Sequence, residues 1–466
     1  MTRTALSPRF AETKEAKPLH VLRPGALAEG LQSFSPAQAA WLRSSGFEAG
    51  LGEVCLLPGP DGTLAGACVG LGSDNARRRT RFGLAKAAAQ LPPGGWGLVG
   101  ELTQAEREEA ALAFLLAEYR FDRYRPGKAQ AAPARLVCPP GVEARRVLAM
   151  AEAEFLTRDL INTPAADMGP EALEQAFLAL AGRFGATSRV IQGADLLEQN
   201  FPMIHAVGRA AAQAPRLMEL QWGKTGPRLT VVGKGVCFDT GGLNIKPTSG
   251  MNLMKKDMGG AATVMGLAQM TMALDLPLRL RVIVPAVENA IAGNALRPKD
   301  ILTSRKGLTV EVNDTDAEGR LILADALALA TEEPCDLLVS MATLTGAARV
   351  AVGPDLAPFY TDDDGAAAAL AAAGAAGFDP VWRMPFHDPY DAVIEPGIAD
   401  LDNSPGFGFA GSITAALFLR RFVGEARYVH FDIYGHSPSD APARPKGGVG
   451  QGARAVFGAL PAILGL

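Results

Sequence analysis

Cysteine is scarce and dispersed. Cys55, Cys68, Cys138, Cys237 and Cys335 are five thiols in 466 residues, with no CxxC pair among them. That excludes a dense disulfide framework and makes a reducing cytoplasm the simplest setting. Long apolar runs are also missing. None reaches about 18 residues, so no membrane span is expected. The opening stretch, MTRTALSPRFAETKEAKPL, has no continuous apolar segment, so no secretory signal is expected there. Charge of one sign is lacking too, the formal net charge being −4. This argues against a general polyanion binder, although a balanced total can hide a local basic patch. Finally, the five histidines, His20, His205, His387, His430 and His436, all lie away in sequence from the charged motifs described below.

What is present fits a two-domain α/β enzyme. A chain of 466 residues with 48% hydrophobic residues exceeds one average domain. Residues 1–130 read as a small α/β domain. In it, WGLVG at Trp96–Gly100 predicts a buried strand and QAEREEAALAFLLAEYRF an amphipathic helix. RPGKAQAAPAR reads as a linker. ARRVLAMAEAEFLTRDLIN predicts a long helix that stops before Thr163–Pro164, since a residue preceding proline disfavours the α region. Linker and connecting helix together span 131–162. In residues 163–466 helices alternate with LTVVG, LRLRVIVPAVE, LTVEV and CDLLVSMATL. That alternation predicts a larger α/β/α domain with a mostly parallel central sheet. DDDGAAAALAAAGAAG predicts a capped helix.

Two short stretches concentrate the chemistry. GKGVCFDTGGLNIKPTSGMNLMKKDMGGAA holds Lys234, Asp239, Lys246 and Asp257, and NDTDAEGRL holds Asp316, Glu318 and Arg320. Any one Asp, read alone, is a helix cap or a surface carboxylate. Four carboxylates among glycines and apolar residues are rarely buried unless they pair or bind metal. They call for roughly two divalent cations, and hard oxygen ligands suit Mn, Zn or Mg. The stretches thus predict a two-metal hydrolytic centre. Lys234 follows LTVVG, Asp316 follows LTVEV, and ATLTGA follows CDLLVSM. Ligands bind beyond the carboxyl ends of strands in such sheets, so three strand ends are expected to converge on one site.

Both stretches resemble signatures of the leucyl (cytosol) aminopeptidase family, two-metal aminopeptidases whose second motif is usually written NTDAEGRL. The likeness runs from about Arg158 to the C-terminus through RDLINTPAADMGP, ATLTGA, WRMPF, GSITAALFLRRFV and PKGGVGQGAR. It implies a metallo-aminopeptidase (EC 3.4.11.-) that cleaves the first peptide bond of short peptides bearing a free N-terminus, with a metal-bridged hydroxide as nucleophile. By the same resemblance Lys234, Asp239, Asp257 and Glu318 hold the tighter metal, and Asp239, Asp316 and Glu318 the more exchangeable one. A lysine ligates only when neutral, so burial and a neighbouring dication must lower its pKa. Lys246 and Arg320 are implied as the catalytic cations: a lysine that stabilises the oxyanion, and an arginine fork that holds bicarbonate as the proton acceptor. For either, a salt bridge to a ligand carboxylate is the structural alternative. Thr343, Leu344, Thr345 and Gly346 resemble the strand end that contacts substrate, and Met254 resembles a residue lining the pocket for the first side chain, with plain core packing as its structural alternative. The resemblance also implies a hexamer.

Three residues depart from the family pattern. Asp314 stands where Asn is usual, Asn252 where Asp is common, and Lys256 where a small residue is common. They leave the ligand set intact but bear on site charge, metal preference and side-chain selectivity. The glycine-rich Gly406–Gly411 and Gly447–Gly452 fit no phosphate loop and read as turns and helix entries. A DNA-binding regulator and a scaffold built on the same fold are the competing readings. Near-neutral charge and the absence of a DNA-reading motif oppose the first, and the intact charged set opposes the second.

Overall fold

The structure is a computed structural model that describes residues 7–13, 15–125 and 132–466. The start of the opening stretch and residues 126–131 of the expected linker lie outside the described residues. The chain divides into two compact units. One comprises the described residues up to Phe155 with Ser439–Lys446, and the other Leu156–Pro438 with Gly447–Leu466. The helix Ala144–Asn162 crosses the division and has the bounds expected from sequence.

The first unit is built on strands β1 (Lys17–Leu22), β2 (Val54–Pro58), β3 (Leu64–Gly70), β4 (Gly94–Val99) and β5 (Ala134–Leu136). They form one sheet in the order β2-β3-β1-β4-β5, parallel except for the β2–β3 pair. Two sequence expectations need correction here. Ala134–Leu136, placed in the linker, is an edge strand paired with β4. WGLVG does form β4, but only its Trp96 is fully buried and Val99 is 44% exposed. Side chains alternate across a strand, so Trp96 and Leu98 pack on the core while their neighbours do not. The helix Gln104–Ala117 starts at a capping box, with Thr103 accepting from the Glu106 backbone and Glu106 accepting from that of Thr103.

The second unit holds a nine-stranded sheet. Its strands are β6 (Thr187–Gln192), β7 (Arg216–Trp222), β8 (Arg228–Gly233), β9 (Gly235–Asp239), β10 (Arg279–Asn289), β13 (Leu337–Ala342), β14 (Ala357–Tyr360), β15 (Val381–Met384) and β17 (Tyr428–Asp432). The order is β15-β14-β17-β13-β8-β10-β7-β6, with β9 also on β10. The central run β17-β13-β8-β10 is parallel, and antiparallel pairs occur only toward the edges. Helix Gly259–Ala273 is buried on nearly all sides, as its apolar composition requires, and Gly319–Ala330 is buried throughout. The alanine-rich segment forms Asp364–Ala376, capped by Asp363, which accepts from Ala366 N at 2.8 Å.

LTVEV departs from expectation. Its residues form β12 (Thr309–Glu311), which pairs with β11 (Ile301–Thr303) and β16 (Leu401–Asp402) in a separate three-stranded sheet. A short apolar run shows that a strand exists but not which sheet accepts it. No helix among the described residues is long and apolar enough to cross a membrane.

Candidate active site

Parallel strands place their carboxyl ends on one side of the sheet, and five of those ends supply the charged cluster. β8 runs into Lys234, β9 ends at Asp239, β10 at Asn289, β13 runs into Thr343, and β17 ends at Asp432. Asp257 lies in the one-turn 3-10 helix Met254–Met258, and Glu318 immediately precedes the helix Gly319–Ala330. Two glycines let these pieces close. A Cβ on Gly319 would stand 2.7 Å from Lys234 Nζ, so only glycine lets the lysine pass. Gly241 has φ +88°, and a Cβ there would stand 2.9 Å from Asp316 Oδ1.

Of the proposed ligands, Lys234, Asp239, Asp257 and Glu318 are at most 3% exposed. Lys234 Nζ lies 2.7 Å from Asp257 Oδ2 and 3.2 Å from Glu318 Oε1, and donates to Thr343 O at 2.8 Å. Lys246 Nζ lies 2.8 Å from Asp239 Oδ2 and also pairs with Asp316. Asp239 Oδ1 accepts from Gly241 N and Asn289 Nδ2, both at 2.9 Å. Thr343 Oγ1 donates to Asp257 Oδ1 at 3.0 Å. Asp239, Asp316 and Glu318 each offer an oxygen within 4.8 Å of the others, a spacing that suits one metal ion. Asp257 is not in that trio, being held by Lys234 and Thr343.

Four carboxylates therefore share two ammonium groups, and their protonation is strained. Burial, with Asp239 nearby, raises Glu318 well above its usual range despite Lys234. Both Glu318 carboxylate oxygens are sealed from solvent, and among the described residues neither accepts a hydrogen bond beyond the ion pair of Oε1 with Lys234. Burial raises Asp316 to about 6, with Asp239 and Asp314 adding to it against Lys246. Burial likewise raises Asp257, opposed by Lys234. For Lys234 burial favours the neutral form, but Asp257, Glu318 and Asp239 outweigh it and raise its pKa. The same balance raises Lys246. Buried carboxylates that outnumber their counter-charges and repel one another are what divalent cations resolve, so the residues present fit them.

Arg320 is 8% exposed, and its Nε has no hydrogen-bond partner among the described residues. Burial pulls its pKa down, against Asp432, Glu318, Asp314 and Asp402. Met254 and Leu344 are half-buried, and Gly346 is exposed at the first turn of the helix Gly346–Val352. The sequence reading missed Asn289 and Asp432. Asp432 accepts from Leu344 N at 3.2 Å, Thr345 N at 3.0 Å, Thr345 Oγ1 at 2.6 Å and Ser412 Oγ at 2.7 Å, which fixes the strand end after β13. An acidic residue closing the apolar YVHFD strand was its available signal. A cavity of about 640 Å³ lies elsewhere, beside Arg189, Glu219, Arg281, Arg305 and Glu332 near the start of β10, where the charges pair among themselves.

The sequence profile of the cytosol aminopeptidase family, catalytic domain, matches residues 155–457, and that of the M17 aminopeptidase N-terminal domain matches residues 17–139. The chain belongs to the cytosol aminopeptidase family. It is accordingly an aminopeptidase with the two-domain architecture of that family. A probable cytosol aminopeptidase of Syntrophotalea carbinolica is 38% identical over 400 residues, covering 82% of this chain and 78% of the relative. One from Leifsonia xyli subsp. xyli is 37% identical, covering 90% and 88%. The crystal structure of the Coxiella burnetii cytosol aminopeptidase superposes with a TM-score of 0.91 at 43% identity, covering 96% of this chain and 97% of that one. The bottromycin maturation enzyme BotP in complex with Mn is similar too, with TM-score 0.85, 32% identity and coverage of 96% and 99%.

Proposed function

We propose that this cytosol aminopeptidase is a two-metal enzyme that removes the first residue of short peptides in the cytoplasm. Lys234, Asp239, Asp257, Asp316 and Glu318 would hold two divalent cations, Mn or Zn, with Mg as a third candidate. The manganese complex of the similar BotP supports a site for such ions in this fold. The observation that carries the reading is the Asp239–Asp316–Glu318 trio, in which the buried Glu318 has only the Lys234 ammonium beside it among the described residues. Bound there, the cations would supply Lewis acidity toward the scissile carbonyl and an activated water at neutral pH.

The remaining roles fall to the chain. Lys246 stands at the edge of the trio, where an ammonium can meet negative charge developing on the carbonyl oxygen. Arg320 offers a buried guanidinium with an unused N–H, suited to a planar oxyanion such as bicarbonate that takes the proton of the attacking water. Leu344 and Gly346 border the peptide backbone, on a segment held by Asp432, and Met254 borders the first side chain. Water adds to the carbonyl carbon, the C–N bond breaks, and the proton passes to the leaving amine. A hexamer of this chain is the assembly proposed.

The assay is mass spectrometry of matched peptides with free, N-acetylated or C-terminally amidated ends. Free and amidated peptides are expected to lose one residue at a time from the N-terminus, and acetylated ones to resist. Internal cleavage, or equal rates on acetylated and free peptides, contradicts the reading.

A further inference from the structure

Two lysines precede Asp257, and the fold treats them differently. Lys255 Nζ donates to Asn162 O at 2.6 Å. Lys256 is 7% exposed, yet its ammonium has no ion pair or hydrogen bond to any described residue. Its contact is the ring of Tyr434, with Nζ 5.2 Å from the centroid. A second cation shares that ring, since Arg349 Cζ lies 5.0 Å from the same centroid.

The group borders the segments assigned to substrate. Lys256 lies on the same short turn as Met254. Arg349 is on the helix that starts at Gly346. Tyr434 precedes Gly435, whose Cβ position would stand 3.1 Å from Thr343 Cγ2. The charges facing Lys256 are Asp257, Lys234, Arg349 and Lys246. The one anion among them, Asp257, already pairs with Lys234 at 2.7 Å and accepts from Thr343. Lys256 therefore has no anion of its own. A buried ammonium without a counter-ion is costly, and an aromatic face compensates only in part. A carboxylate arriving with the substrate would complete the pairing. The turn that carries Lys256 also carries Met254, assigned above to the first side chain, and this makes the side chain of the first residue the carboxylate source to test.

We propose that Lys256, with Arg349 on the shared Tyr434 ring, recognises a carboxylate on the side chain of the substrate's first residue, so that the enzyme favours peptides beginning with Glu or Asp. This rests on the aminopeptidase reading above and narrows its substrate class.

The test uses the full-length, metal-loaded enzyme on C-terminally amidated tripeptides that differ only in a first residue of Glu or Met, side chains of similar length. The wild type is expected to show a kcat/KM for Glu over Met of roughly tenfold or more, as a charge-assisted hydrogen bond would give. Lys256→Met is expected to lower that ratio at least about tenfold and Lys256→Arg to retain most of it. The exposed Arg349→Gln should lower it in part, and it keeps the test decisive where Lys256→Met does not fold. A wild-type ratio at or below one overturns the proposal. So does a ratio unchanged in a folded Lys256→Met enzyme, and so does a preference that appears only when the peptide's terminal carboxylate is free. A wild type that releases no first residue from either peptide instead contradicts the aminopeptidase reading itself.

Discussion

Glu318 is a fully buried carboxylate among other carboxylates. It is buried to 1% exposure beside Asp239 and Asp257, and its one cationic partner among the described residues is Lys234, 3.2 Å from Oε1. In the chain alone the lysines answer this stress, so Lys234 carries its charge. The neutral lysine needed for ligation would appear only where dications replace it as the counter-charge. This separates two kinds of residue. Lys246→Ala and Arg320→Ala should lower kcat more than about tenfold with metal content near that of the wild type, because a transition-state contact registers in kcat. Asp257→Ala should instead lose metal. Steady-state kinetics with elemental analysis on each variant decides it, and metal loss with an unchanged per-metal rate in Lys246→Ala would exchange the roles. The seven charged residues were legible because their types are costly without partners and stand in two short stretches. Asn289 and Asp432 were not, because a lone polar residue at a strand end takes its meaning from strands far away in sequence.

At the scale of elements, the parallel run β17-β13-β8-β10 makes the site by stacking strand ends. The period and length of the apolar runs made these strands legible, whereas sheet membership was not: LTVEV pairs in the small sheet through Leu401–Asp402, which gives no strand signal of its own. The packing of β17 on β13 has a pH consequence. His430 pairs in register with Ser340, and its Nδ1 is 2.8 Å from Ser340 Oγ. Burial, helped by Arg320, lowers its pKa from 6.5 to about 3. The folded strand thus keeps the ring neutral where the unfolded chain takes up a proton. Its contribution is full above the ordinary value and is lost as pH falls toward about 3. The stability cost of His430→Gln, read by denaturant unfolding, should therefore be smaller near pH 4.5 than near pH 7.5 by roughly 2 kcal/mol. A cost independent of pH would show that the ring titrates normally in the folded state.

At the scale of the molecule, the division into two units was legible from length and from the break in periodicity. Its position was not, because the helix Ala144–Asn162 runs without interruption across it. Assembly leaves no pattern in the sequence at all. A hexamer of the 48.7 kDa chain should be seen by light scattering at micromolar concentration, and a monomeric mass would refute it. The central claim is that the carboxylate cluster exists to hold two cations. Elemental analysis of the chelated and the reconstituted enzyme, with peptide hydrolysis followed in the same samples, tests it most directly. Two divalent ions per chain are expected, with activity lost on their removal and restored on their return. Activity that survives complete removal of metal would contradict it.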